Sequence, residues 1–163
     1  MPSRGAKIAA VNPPTVPDSI KVSADEQLVF MARATGFQIY VCRADAAGQP
    51  AWVLKAPEAQ LFDEQGKVIG KHFGGPTWQH NDGSQIVGKM AAKVDAPTPG
   101  PIPWLLVTVT DHSGNGAFSN ITTIQRVNTV GGMPPGSGCS DGSLETEFKS
   151  RYAADYYFYA RRA

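Results

Sequence analysis

The chain has 163 residues, a length that suits one domain or one domain with a tail. Lys and Arg (15) nearly balance Asp and Glu (14), leaving a net charge of +1, too weak a field to select a nucleic-acid backbone or an anionic membrane. No apolar run is long enough to cross a bilayer as a helix, and Val (13) and Ile (8) outnumber Leu (6), a bias towards strand.

Residues 1–24 carry Pro13-Pro14 and Pro17 among small residues and read as an extended, Pro-rich N-terminal arm; residues 25–163 read as a single β domain. Leu28 to Ala34 is the first apolar segment, and Thr35-Gly36 breaks it. Phe37 to Arg43 then alternates, with Phe37, Ile39 and Val41 on one face and Gln38, Tyr40 and Cys42 on the other. Asp45 to Pro50 turns into Trp52-Val53-Leu54. Two hairpin signals follow: Glu58–Phe62 and Lys67–Phe73 flank Asp63-Glu64-Gln65-Gly66, and Thr77–His80 and Gln85–Lys89 flank Asn81-Asp82-Gly83-Ser84. After a Pro/Gly linker, Trp104 to Thr110 is the most apolar strand, and Trp104 reads as core. Ser119 to Val127 follows, then irregular chain, then a strand with Tyr152, Ala154, Tyr156 and Phe158 on one face. About eight or nine short strands with frequent turns predict an all-β fold, a single-domain antiparallel sandwich or small barrel, mostly a meander.

Cys42 and Cys139 are the only cysteines, so one intramolecular bridge is available. Cys139 lies in an irregular Gly/Pro/Ser stretch with little else to hold it, which favours a Cys42–Cys139 disulfide over two buried thiols. Low charge with many Thr, Ser, Gly and Pro reads as an exported chain, secreted or periplasmic. Met1 to Gly5 lacks an apolar leader, which we read as a signal peptide removed; a native cytosolic start is the competing explanation.

The stretches Ala34-Thr35-Gly36-Phe37-Gln38-Ile39-Tyr40-Val41-Cys42, Gly75-Pro76-Thr77-Trp78, Asp82-Gly83-Ser84 and Gly88-Lys89 recur in order with Ile102-Pro103-Trp104-Leu105-Leu106, Ile124 to Gly132, Cys139 and Tyr152 to Tyr159. In this pattern the chain resembles the domain of unknown function 3455 family of bacterial and fungal proteins. The resemblance implies a secreted or periplasmic protein made with a leader, and it brings no established activity. A dehydrogenase label borne by some fungal members carries no weight, since the chain has no Gly-rich strand-to-helix fingerprint. The family pattern has a carboxylate after the Trp, where this chain has Gln79-His80, which weakens the idea of a catalytic acid there.

His72, His80 and His112 are the three imidazoles, and with Asp82 or Asp111 they would suit zinc or copper if they converged. Their spacing matches no standard ligand motif, and exposed turn or edge histidines are the commoner explanation. Asp155 and Arg126 each interrupt an apolar strand and are expected to form a structural ion pair. Trp52, Trp78 and Trp104 with Tyr40, Tyr156, Tyr157 and Tyr159 could line a platform for a carbohydrate or flat ligand. Trp78, beside Gly74-Gly75-Pro76, is the one expected near a cleft, together with His80, Asp82 and His72. Three readings stand open: a small-molecule or glycan binding module, which is preferred; a zinc or copper enzyme or binding protein using His72, His80 and His112; and a surface-assembly module whose N-terminal arm reaches a second copy.

Overall fold

The structure, a computed structural model, describes residues 12–163. Eight strands follow in chain order: β1 (Glu26–Ala44), β2 (Pro50–Phe62), β3 (Val68–Phe73), β4 (Thr77–His80), β5 (Gln85–Val94), β6 (Trp104–Ser113), β7 (Ile121–Gly131) and β8 (Glu147–Arg161). Each pairs antiparallel with its predecessor, and β8 pairs antiparallel with β1 from Glu26↔Arg161 to Val41↔Glu147. The sheet is therefore a closed, up-and-down barrel, the all-β meander the pattern predicts. Of the two expected architectures, the closed ring is the one present.

Two breaks read from the sequence are not breaks. Gly36 lies inside β1, where a Cβ would stand 2.2 Å from the Glu58 carbonyl oxygen of β2. The glycine lets two backbones approach within one continuous strand. Trp52–Leu54 and Glu58–Phe62 likewise join as β2, with Lys55 the extra residue of a bulge opposite Ile39 and Tyr40.

One end of the barrel carries the loops 63–67, 81–84 and 114–120, and it is sealed by Phe118, which is fully buried. Its ring lies 5.0 Å from Phe158 and 5.7 Å from Phe30. Burying a side chain of this size contributes about 1.5–3 kcal/mol. Ala32, Ala34 and Ala154 on the neighbouring strands are small enough to admit these rings to the interior.

The outer wall has its own apolar cluster. Val16 and Ile20 of the N-terminal segment pack on Val127, with Ala92, Val94, Leu106, Tyr157 and Trp104 around them. Trp104 is thus half-buried beneath a strap outside the barrel rather than in its interior. The Gln125 amide donates to the Ile20 carbonyl at 2.8 Å and accepts from the Tyr159 hydroxyl at 2.6 Å, fixing the strap. Within the expected arm of residues 1–24, residues 12–24 lie against the chain's own barrel, while residues 1–11 fall outside the described residues.

The opposite end carries the loops 45–49, 74–76, 95–103 and 132–146. The longest of these is tied down along its length. Cys139 is bonded to Cys42 of β1 across a sequence separation of 97, the Tyr40 hydroxyl donates to the Gly132 carbonyl, and the Trp52 indole N–H donates to the Ser137 carbonyl at 3.0 Å. The expected disulfide is present.

A cross-link over so long a loop removes much of the unfolded chain's freedom. Replacing both cysteines by Ser is therefore expected to lower stability by about 2–5 kcal/mol, measured by urea unfolding. Equal midpoints for the two proteins would show that the bridge does not constrain the unfolded chain.

Candidate functional site

Alternation along β1 places Gln38, Tyr40 and Cys42 towards the interior and leaves Phe37 and Ile39 half-buried outside. The more polar face of this strand is thus the inner one. Gln38 shares a cavity of ≈ 320 Å³ with His72 of β3, Trp78 of β4, Arg126 of β7 and Tyr156 of β8. Five strands around the ring meet there, which only the barrel interior permits. The volume lies at the small end of the roughly 300–1,000 Å³ usual for ligand pockets. Gly75 and Pro76 of the β3–β4 turn also line it, so it sits at the end opposite the Phe118 seal. Leu54 and Met90, each 52% exposed, form an apolar rim.

Trp78 and His72 are register partners on β4 and β3, and their rings stack at 4.3 Å between centroids and 19° between planes. Tyr156 meets both rings edge-on, at 5.6 Å from Trp78 and 5.1 Å from His72. Gly88 on β5 leaves room for the indole, since a Cβ there would stand 3.2 Å from it and 2.5 Å from Val107. The Tyr156 hydroxyl lies 3.2 Å from that of Tyr152.

Two polar atoms of this wall lack a partner. Gln38 Oε1 and Trp78 Nε1 are buried, and neither has a hydrogen bond among the described residues. Each such group costs about 1–3 kcal/mol of desolvation with nothing in return. Arg126, 8% exposed, donates from Nε and Nη2 to the Pro103 carbonyl at 3.1 and 2.8 Å.

The expected Asp155–Arg126 ion pair is not formed. Asp155 instead pairs with Arg33 at 2.9 Å and accepts from the Asn128 amide at 2.9 Å. In the register Arg126 faces Tyr156 while Asp155 faces Val127, so the two charges fall on opposite sides of the wall.

The structure separates the residues expected around Trp78. His72 and Trp78 share the cavity wall, whereas His80 and Asp82 stand at the sealed end. The His80 ring lies edge-on to Phe118 at 5.7 Å, and its Nδ1 accepts from the Asp82 backbone N–H at 3.1 Å. Asp82 accepts from the Ser84 N–H and hydroxyl at 2.9 and 2.7 Å and from the Ala117 N–H at 2.8 Å. The Ser84 hydroxyl in turn accepts from the Phe118 N–H at 3.1 Å. These bonds, led by that from the Ser84 hydroxyl, hold the Asp82 carboxyl at about 2, ionised and committed to positioning the Phe118 loop.

The three imidazoles are occupied separately. His72 Nδ1 lies 2.9 Å from the Thr77 carbonyl, and His112 Nε2 lies 2.7 Å from that of Ile121. Among the described residues no three His, Cys, Asp or Glu side chains are grouped to hold a metal ion. The tryptophans and tyrosines are divided as well: Trp78 and Tyr156 line the cavity, Trp52 stands at the loop 132–146, and Trp104 and Tyr157 lie under the outer strap.

A larger groove of ≈ 970 Å³ runs over the outer wall past Phe37, Phe73 and Val130. Its charged side chains are surface groups: Lys71 lies over Phe73, and Arg151 lies over Phe37. It has no counterpart to the buried, unpartnered atoms of the interior cavity.

Burial drives the His72 pKa down to about 3, so its imidazole is neutral and the accepting carbonyl of Thr77 fixes the proton on Nδ1. The unfolded chain takes up this proton near 6.5, the folded one only near 3. Stability from this group is therefore complete above pH 6.5 and is lost as pH falls, at a slope approaching about 1.4 kcal/mol per pH unit. A His72→Gln variant is expected to show a flatter stability profile than the wild type as pH falls below about 6.5, the carboxylates being common to both proteins. Urea unfolding at a series of pH values measures it; parallel profiles would mean that His72 protonates in both states alike.

No curated protein and no solved structure matches the chain. A family model does, from the first residues after the strap to the end of β8. That match, to the protein of unknown function (DUF3455) family over residues 23–160, places the chain in this family.

Proposed function

We propose that this protein is an exported binding module that holds a small organic molecule inside the mouth of its barrel. The observation that carries the reading is the pair of buried, unpartnered atoms, Gln38 Oε1 and Trp78 Nε1, on the wall of an interior cavity. An interior that served only to fill the barrel would be better packed with apolar side chains, as it is around Phe118. Polar groups that meet from several strands in a largely apolar pocket are what a ligand site requires for orientation. The closed sheet holds those groups rigidly, so little ordering accompanies binding.

The disulfide supports export, because such bonds persist in oxidising compartments, and a secreted or periplasmic site is the reading we adopt. Among the described residues no helix is long and apolar enough to cross a membrane.

The fluorescent probe N-phenyl-1-naphthylamine, an uncharged aromatic amine, tests the cavity. We expect saturable enhancement of its emission by the wild-type protein. Ala56 lines the mouth and is half-buried, so Ala56→Trp narrows the entrance without entering the packed core. The variant is expected to bind at least about tenfold more weakly, with an unchanged melting temperature. No enhancement by wild type, or equal binding by both proteins, would overturn the reading.

A further inference from the structure

The cavity has a charge that nothing inside the barrel answers. Arg126 is 8% exposed, and its two hydrogen bonds go to one backbone carbonyl, that of Pro103. A guanidinium carries five N–H donors, so three remain for other partners. Among the described residues no carboxylate stands within ion-pair distance of it. Among the described residues the ion pairs lie elsewhere: Arg33–Asp155, Arg43–Glu145, Lys149–Glu58 and Lys21–Asp18 are surface pairs, His80 meets Asp82 at the sealed end, and Lys55–Glu147 stands at the rim. The other ionisable groups lining the cavity are His72, Tyr156 and, at the rim, Lys55, whose ammonium is taken by Glu147; Tyr152 stands behind Tyr156, and burial keeps His72 and Tyr152 uncharged. The interior therefore carries one positive charge and no negative one.

From this geometry we infer that the ligand is a small organic carboxylate that also bears a hydroxyl or N–H donor, its anion held by Arg126 and its donor by Gln38. A buried guanidinium is a costly feature unless an anion meets it, and its planar fork matches a carboxylate. Trp78 Nε1 supplies one further donor for an acceptor on the ligand. Gln38 Oε1 is the acceptor for the ligand's own O–H or N–H. The apolar body of such a molecule would lie against Val107, Leu105 and the Tyr156 ring and reach the Leu54–Met90 rim. The inference rests on reading the cavity as a ligand site and adds the charge and donor pattern of what enters it.

Salicylate and salicylamide separate the two ideas, since they share ring and hydroxyl and differ in charge. Each would be used to displace N-phenyl-1-naphthylamine from the wild-type protein. We expect salicylate to bind about tenfold or more tightly than salicylamide, and the preference to fall within about twofold in Arg126→Gln. If the neutral probe binds but salicylate and salicylamide compete equally in wild type, the carboxylate inference fails while the cavity reading stands. An arginine that only ties the loop 95–103 to β7 through Pro103 gives this second result. The wild-type comparison decides the matter even if Arg126→Gln does not fold. If the probe does not bind at all, the cavity reading fails and this inference with it.

Discussion

A sheet that closes on itself commits every second residue of every strand to a common interior, and the other features of this protein follow from that constraint. The decisive contact is the pairing of β8 with β1, which joins the last strand to the first over fifteen or more residues of each. It leaves no hydrogen-bonding edge among the eight strands, so the fold needs no covering helices. It also means that a residue's role is set by parity. Tyr152, Ala154, Tyr156 and Phe158 face in, whereas Tyr157 and Tyr159, one step out of phase, meet the N-terminal strap and its Gln125 support.

The interior so defined is divided along the barrel axis. Towards the loops 63–67, 81–84 and 114–120 it is filled by Phe30, Phe118, Phe158 and aliphatic residues, and Asp82 with Ser84 holds the Phe118 loop in place as a plug. Towards the loops 74–76 and 95–103 the same strands present Gln38, His72, Trp78, Arg126 and Tyr156. One ring of strands thus yields a packed half that stabilises and a polar half that is available for binding. A barrel of this size leaves just enough interior for side chains or one small ligand, and the split uses it for both.

Much of the fold was legible in the chain. The Asp63–Gly66 and Asn81–Ser84 turns, the inward face of β8 and the cysteine pair all rest on local chemistry: positive φ at Gly66 and Gly83, strict alternation, and a single available partner thiol. The site was less legible, because its members meet through closure, which has no local signature. Trp78 and His72 lie in a short segment of sequence, but Gln38 and Arg126 come from strands far removed from it. Arg126 did stand out as the one charge in β7, and it invited pairing with Asp155, the one carboxylate in the later part of β8. Parity forbids that pairing, and parity becomes decisive only once the register of β7 against β8 is known. Gln38 gave a weaker signal still, since β1 alternates an apolar face against a more polar one and the usual rule sends the apolar face inward. Here Phe37 and Ile39 turn outward, and the inversion itself marks the cavity.

The polar half is bought at the expense of packing, and the position of the covalent and capping contacts shows where the loss is made good. Buried atoms without partners and an unopposed guanidinium destabilise the end at which they lie. That same end receives the disulfide from Cys42 to Cys139, the Tyr40 bond to Gly132 and the Trp52 bond to Ser137. All three bind one loop, 132–146, to β1 and β2. Arg126 itself holds the neighbouring loop through Pro103, and Thr129 bonds the Ile102 carbonyl beside it at 2.7 Å. At the sealed end, by contrast, packing of aromatic rings suffices with one Asp82–Ser84 network. Stabilising contacts outside the interior thus free the interior from filling itself, and the residues so released are the ones that converge on the cavity.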